Sequence, residues 1–110
     1  MIPAEPSLPP VARIQRLPLI ELSVEWSYRK PANKAVVKAL VRTLRLDRIG
    51  ILAVNRRPYG AYIVCDGWAR VLAMRAQHVP EATIELFEGL TLVEEAHLYR
   101  LRNTVIEHPS

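Results

Sequence analysis

A chain of 110 residues, half of them hydrophobic and about a quarter charged, has room for one hydrophobic core and the balance of a folded globular protein, which excludes a disordered or multidomain one. A single cysteine, Cys65, excludes an internal disulfide and a zinc cluster and fits a reducing compartment, and no apolar run reaches the ~18 residues of a membrane span. The formal net charge of +4 is unevenly spread, with Asp47 the lone acid between Arg29 and Arg57 and no base between Glu81 and Glu95, so one surface is expected to face nucleic acid or another polyanion.

The start, "MIPAEPSLPP", lacks the basic-then-apolar layout of a secretory signal, so a cytoplasmic protein is expected. Four prolines in these ten residues and no periodicity predict a flexible or extended arm over residues 1–12, ahead of a single domain over 13–110. Residues Ala12 to Leu22 have strand composition, and Pro18, which cannot donate a ladder hydrogen bond, places that strand at an edge or a bulge. "VEWSYRKP" follows as a connection anchored by Trp26 and Tyr28. Pro31 suits a helix start, and the helix that follows, "ANKAVVKALVRTLRLD", carries Val37, Leu40, Val41 and Leu44 as a buried stripe. Lys34, Lys38, Arg42 and Arg45 form a basic ridge on its other side.

"GILAVNRR" and "AYIVC" flank Pro58-Tyr59-Gly60, which predicts a β-hairpin closed by a three-residue turn. Arg56 and Arg57 at its tip join the ridge as nucleic-acid-binding candidates. Asp66 is the expected N-cap of a helix over Gly67 to His78, which Val79-Pro80 ends. "ATIELFE" alternates as a strand, and Thr91 with Glu94 forms a capping box before "VEEAHLYRLRNTVI", the last helix. The order strand, helix, hairpin, helix, strand, helix is that of a small α+β domain with a mixed sheet and three helices.

The stretch "VCDGWAR" is the point of chemical interest. A strand that turns at Asp66-Gly67 into a helix aims free first-turn amides and the positive end of the dipole outward, Gly67 permits close approach, and Arg70 can clamp an anion. "SYRKP" before the first helix, "GIL" leading into the hairpin and "DGWARVLAMRAQHVPEATIELFEGLT" after it resemble the N-terminal, nuclease-type domain of the ParB and sulfiredoxin-like superfamily over roughly residues 13–104. The resemblance implies nucleotide or DNA-backbone phosphate binding at this junction, with Arg70 matching the last Arg of a "GERR" or "DGxHR" motif and Arg29 that of an "NPR" loop.

Two departures accompany the match. Trp68 and Ala69 stand where ParB proteins carry Glu and Arg, and Trp68 stands where sulfiredoxins carry their reactive Cys; Cys65, in the strand before the turn, does not replace it. Binding therefore survives this comparison better than catalysis. Arg29, Asp66, Gly67, Trp68 and Arg70 are the nucleotide- or phosphate-binding candidates, with packing as the competing role for Trp68. Lys34, Lys38, Arg42, Arg45, Arg56 and Arg57 are the nucleic-acid-binding ones. CTP or ATP with Mg2+ are the candidate cofactors, and no resident metal site is expected. The reading is a DNA-associated module of a plasmid, phage or mobile element. The alternatives are a metal-dependent nuclease or nucleotide hydrolase using Asp66, Glu21 and Glu25, and a degenerate module that binds another protein through Trp26, Tyr28 and Trp68; the acidic stretch Glu81 to Glu95 pairing with the basic ridge of a second copy would make a head-to-tail homodimer. The three histidines are expected at helix ends or on the surface.

Overall fold

A computed structural model describes residues 7–43 and 50–104. Five strands and three helices alternate along these residues. They are β1 (Arg13–Pro18), β2 (Leu22–Ser23), α1 (Lys34–Thr43), β3 (Leu52–Arg56), β4 (Tyr62–Asp66), α2 (Trp68–Ala76), β5 (Glu81–Glu88) and α3 (Leu92–Thr104). The strands form one mixed sheet in the order β1-β5-β3-β4-β2, in which β3 is parallel to β5 and antiparallel to β4.

The strand expected over residues 12–22 is two strands, at opposite edges of this sheet. β1 pairs antiparallel with β5, and its edge position leaves room for Pro18. A single 3-10 turn, Leu19–Glu21, then redirects the chain so that β2 pairs in parallel with β4 at the far edge. Arg75 of α2 holds this crossing, donating from Nη2 to the carbonyls of Leu19 at 2.7 Å and Leu22 at 2.9 Å. Its guanidinium also lies 5.3 Å from the Trp68 ring.

Apolar side chains cover both faces of the sheet. On one face Leu52, Val54, Val64, Ile84 and Leu86 pack with Trp68, Val71 and Met74 of α2. On the other, Ala53, Cys65 and Phe87 pack with Leu90 and with Leu98 of α3. Leu8 joins that second cluster, and the amide of Ala12 donates to Leu86 O at 2.7 Å, so residues 8–12 are held to the sheet at these two points.

Local chemistry explains the element ends. Asn33 caps α1, its Oδ1 accepting from the amide of Ala35 at 2.8 Å, so Pro31 lies just outside the helix rather than in it. The stripe Val37, Leu40 and Val41 is half-buried, and the described part of α1, which packs against α2, buries no side chain fully; Leu44 lies outside the described residues. The hairpin closes as the sequence predicts, with Gly60 at a φ of 94° and its amide donating to Arg57 O. The capping box of α3 is complete: Glu94 N donates to Thr91 Oγ1 and Thr91 N to Glu94 Oε1. α2 ends in a Schellman motif, with the amides of His78 and Val79 donating to Arg75 O and Met74 O and His78 in the left-handed region at a φ of 60°.

Candidate functional site

Gly67, and not Asp66, occupies the N-cap position of α2. It adopts a φ of 105° and has no side chain to accept a first-turn amide. A Cβ there would run into Leu52 Cδ2 and reach within 3.0 Å of Arg70 Nη2, so both the turn and the close packing select glycine. The expected cap is thus corrected: Asp66 ends β4, and its carboxylate is taken by arginines. Its Oδ2 lies 3.3 Å from Arg70 Nη2 and 4.0 Å from Arg102 Nη1.

A bulge produces this placement. β4 pairs Val64 with Val54 and Asp66 with Ala53, leaving Cys65 as the extra residue, so Cys65 packs among the side chains under α3 while Asp66 also comes within reach of that helix. Arg102 accordingly spans two strands, Nη2 donating to Glu85 Oε2 of β5 at 2.7 Å. Arg29 comes from the β2–α1 connection. Its Nη1 donates to Val64 O at 3.4 Å, its guanidinium lies 5.1 Å from the Tyr99 ring, and its Nε is buried without a hydrogen-bond partner. At the junction Arg70 lies beside Gly67 and Asp66, Arg102 and through it Glu85 join Asp66, and Arg29 meets β4 two residues earlier, at Val64. Trp68 is buried against Val71 and Met74 and meets Trp26 edge-on at 6.4 Å, which is the packing role.

The inward face of α3 is polar, and this is what the sequence did not reveal. Glu95, Tyr99 and Arg102 recur at four and three residues, the spacing of one helix face. Glu95 is fully buried and accepts from Asn55 Nδ2 at 2.6 Å, from Arg57 Nε at 3.0 Å and Nη2 at 2.8 Å, and from the Tyr28 hydroxyl at 3.2 Å. Asn55, equally buried, exchanges both its amide groups with the backbone of Leu90. Arg57 also holds Glu25 at 3.0 Å, and this hydrogen bond keeps the Glu25 carboxyl below its usual range. Burial first, then the Glu95 charge, pushes the Cys65 thiol up to about 12, so Cys65 is an inert core residue. Burial likewise raises the Tyr28 phenol.

The other basic residues divide. Lys34, Lys38 and Arg42 are exposed on α1, and Arg56 is exposed beside the Tyr62 ring; Arg45 lies outside the described residues. Arg57 belongs to the buried network instead of the ridge. His97 is buried on α3, contrary to the surface placement its sequence context suggested, whereas His78 is exposed at the end of α2. Among the described residues no three His, Cys, Asp or Glu side chains converge to hold a metal ion. Of the three aromatics that were to form one exposed patch, only Trp26 is exposed.

No family model and no curated protein matches the chain. Among solved structures, C-terminally truncated chromosome-partitioning protein ParB from Caulobacter crescentus complexed with CTP-gamma-S superposes with a TM-score of 0.75 at 14% identity, covering 90% of this chain and 56% of that one. The same protein complexed to the centromeric parS site gives 0.66 at 16% identity, over 87% and 50%. Sulfiredoxin from Arabidopsis thaliana gives 0.54 at 21% identity, over 70% of this chain and 86% of that one. The fold is ParB/sulfiredoxin-like. The chain spans about half the length of the ParB structures it matches. Within the ParB/sulfiredoxin-like fold, the five-stranded mixed sheet and three helices are the α+β arrangement that the element order predicts.

Proposed function

We propose that this chain is a ParB-like module that binds nucleotide phosphates at the β4–α2 junction and DNA phosphates along α1. The observation that carries the reading is the uncapped, left-handed Gly67 turn with Arg70 against it, next to an Asp66 that faces Arg102 and a β4 strand whose Val64 carbonyl is met by Arg29. Backbone amides at a helix start and planar guanidinium donors suit phosphate oxygens, and neither requires a nucleophile. Likeness to a ParB that was complexed with CTP-gamma-S supports CTP as the first nucleotide to test, with ATP beside it. Mg2+ would arrive on the nucleotide, held by its phosphates, since the carboxylates of Glu25, Asp66 and Glu85 are each engaged by an arginine. Lys34, Lys38 and Arg42 on the exposed face of α1 serve as the DNA contact, weak and independent of sequence, in keeping with likeness to a ParB complexed to its centromeric site. Such a module suits a plasmid, phage or mobile-element regulator.

Trp68 opens α2 beside the junction, so its fluorescence reports on the site. Titration with CTP, ATP and a short duplex, each with and without Mg2+, is expected to give saturable quenching by a nucleotide, weakened about tenfold or more in Arg70→Ala. Quenching by DNA alone, equal in both proteins, would mean that the ridge binds and the junction does not.

A further inference from the structure

The far end of α2 carries a cleft that the phosphate reading leaves unused. It holds about 880 Å3; Leu19 and Ile20 of the 3-10 turn form one wall, His78, Val79 and Pro80 beyond α2 form the other, and Arg75 bridges them. Ile20 on the rim is 89% exposed. The Trp68 ring on which the Arg75 guanidinium lies meets the half-exposed Trp26 edge-on at 6.4 Å, so apolar surface continues past the cleft. Arg75 commits Nη2 to the carbonyls of Leu19 and Leu22, whereas among the described residues its Nη1 and Nε meet no acceptor. The carbonyls of Ala73, Met74 and Arg75 are taken by the amides of Gln77, His78 and Val79. No carboxylate lines the cleft: of the acids nearest in sequence, Glu81 turns to Arg16 at 3.5 Å and Glu21 lies outside the lining.

We infer that this cleft is a docking site for a segment of a partner protein that carries aliphatic side chains next to a carboxylate. The inference is independent of the proposed phosphate site, which lies at the other end of the helix. Aliphatic side chains cover Ile20 and the cleft walls and are held there by burial, and the carboxylate brings the charge and the acceptor oxygens that Arg75 leaves open. Two backbone hydrogen bonds and the Trp68 ring already order Arg75, so little rotamer freedom is lost when it takes up the carboxylate. A protein segment fits better than a free acyl chain because the cleft is open beside Ile20. An acyl chain would leave much of its own surface and of Ile20 in water, whereas a partner brings further surface to cover both.

The test is an amide-resolved NMR titration of the 15N-labelled full chain with three acetylated tripeptide amides, Leu-Leu-Asp, Leu-Leu-Asn and Ser-Ser-Asp. Leu-Leu-Asp is expected to shift Leu19, Ile20, His78 and Val79 and to saturate, with each of the other two at least about fivefold weaker. Ile20→Asp changes a side chain outside the core, so it is expected to abolish these shifts and to leave the melting temperature unchanged. Arg75→Gln is expected to erase the preference for Asp over Asn; the Leu22 and Ser23 amides report whether the chain crossing survives that change, and Ile20→Asp decides alone if it does not. Equal affinity for the Asp and Asn peptides, shifts confined to other residues, or no shifts with any peptide overturns the inference. Decanoate binding at the same amides at least about tenfold tighter than Leu-Leu-Asp also overturns it, by making the cleft a lipid site. So does a monomer–dimer equilibrium in analytical ultracentrifugation that Ile20→Asp abolishes, which would give the cleft to a second copy.

Discussion

Glu95 shows how much of this domain is settled by single side chains. A carboxylate with no exposure is costly to bury, and here four donors replace its water: one from Asn55, two from Arg57 and one from Tyr28, with Arg57 further tied to Glu25. Tyr28 and Glu25 lie on the connection that presents Arg29, so this buried charge fastens the loop as well as the core. Removing one partner strands the others, and Glu95→Ala is expected to cost about 3–5 kcal/mol, measured by urea unfolding against wild type. A loss below about 1 kcal/mol would show that water enters and replaces the carboxylate. Cys65, raised by burial and by Glu95, contributes in the opposite sense to pH: its neutral thiol is favoured in the folded state, so its contribution is complete below its ordinary value of 9.0 and is lost as pH climbs from there toward about 12.

At the level of elements, ends are more legible in sequence than interiors. Thr91 with Glu94 and Pro58-Tyr59-Gly60 each act over three or four residues through hydrogen bonds to nearby backbone, and both appear as read, whereas α2 stops at Ala76, before the Val79-Pro80 that was expected to end it at His78. The run Ala12 to Leu22 fails for the converse reason. Its residues are strand-like throughout, and what divides them is tertiary: the carbonyls of Leu19 and Leu22 turn toward Arg75, more than fifty residues away. The helix α3 is legible in the sequence but its polar contacts are not, since Glu95, Tyr99 and Arg102 face the sheet beside Leu98 and break the apolar pattern that would have marked that side. His78, a β-unbranched but non-glycine residue, holds the left-handed position that closes α2. His78→Gly is expected to raise stability by about 0.5–1 kcal/mol, read as a higher melting temperature, because the Schellman bonds remain and the strain of that φ is relieved. A lower melting temperature would mean that the imidazole makes compensating contacts.

Over the whole molecule, charge is sorted by partner as well as by sequence. The acidic stretch that could have met the basic ridge of a second copy is matched within its own chain, Glu81 by Arg16 of β1 at 3.5 Å, Glu88 by Arg13 of β1 at 3.6 Å and Glu85 by Arg102 of α3. The exposed cations of α1 face no such matching acids on their own helix. DNA binding through Lys34, Lys38 and Arg42 should therefore weaken with added salt, with a log–log slope of about −2 to −3, and lose about one unit of slope for each of these residues changed to Ala. A slope near zero would remove α1 as the contact. Of the candidate site, the turn at Gly67 and the proposed roles of Arg70 and Arg29 were legible in the sequence, because these residues lie in short motifs. The sequence concealed Arg102 and the pairing of Asp66, which exist only once α3 crosses the sheet. The most direct test of the account is an amide-resolved NMR titration of the 15N-labelled chain with CTP. The account predicts shifts at Gly67, Trp68, Ala69 and Arg70, with lesser ones at Arg29 and Arg102, that saturate together. Shifts confined to α1 or to the hairpin, or none at saturating nucleotide, would contradict it.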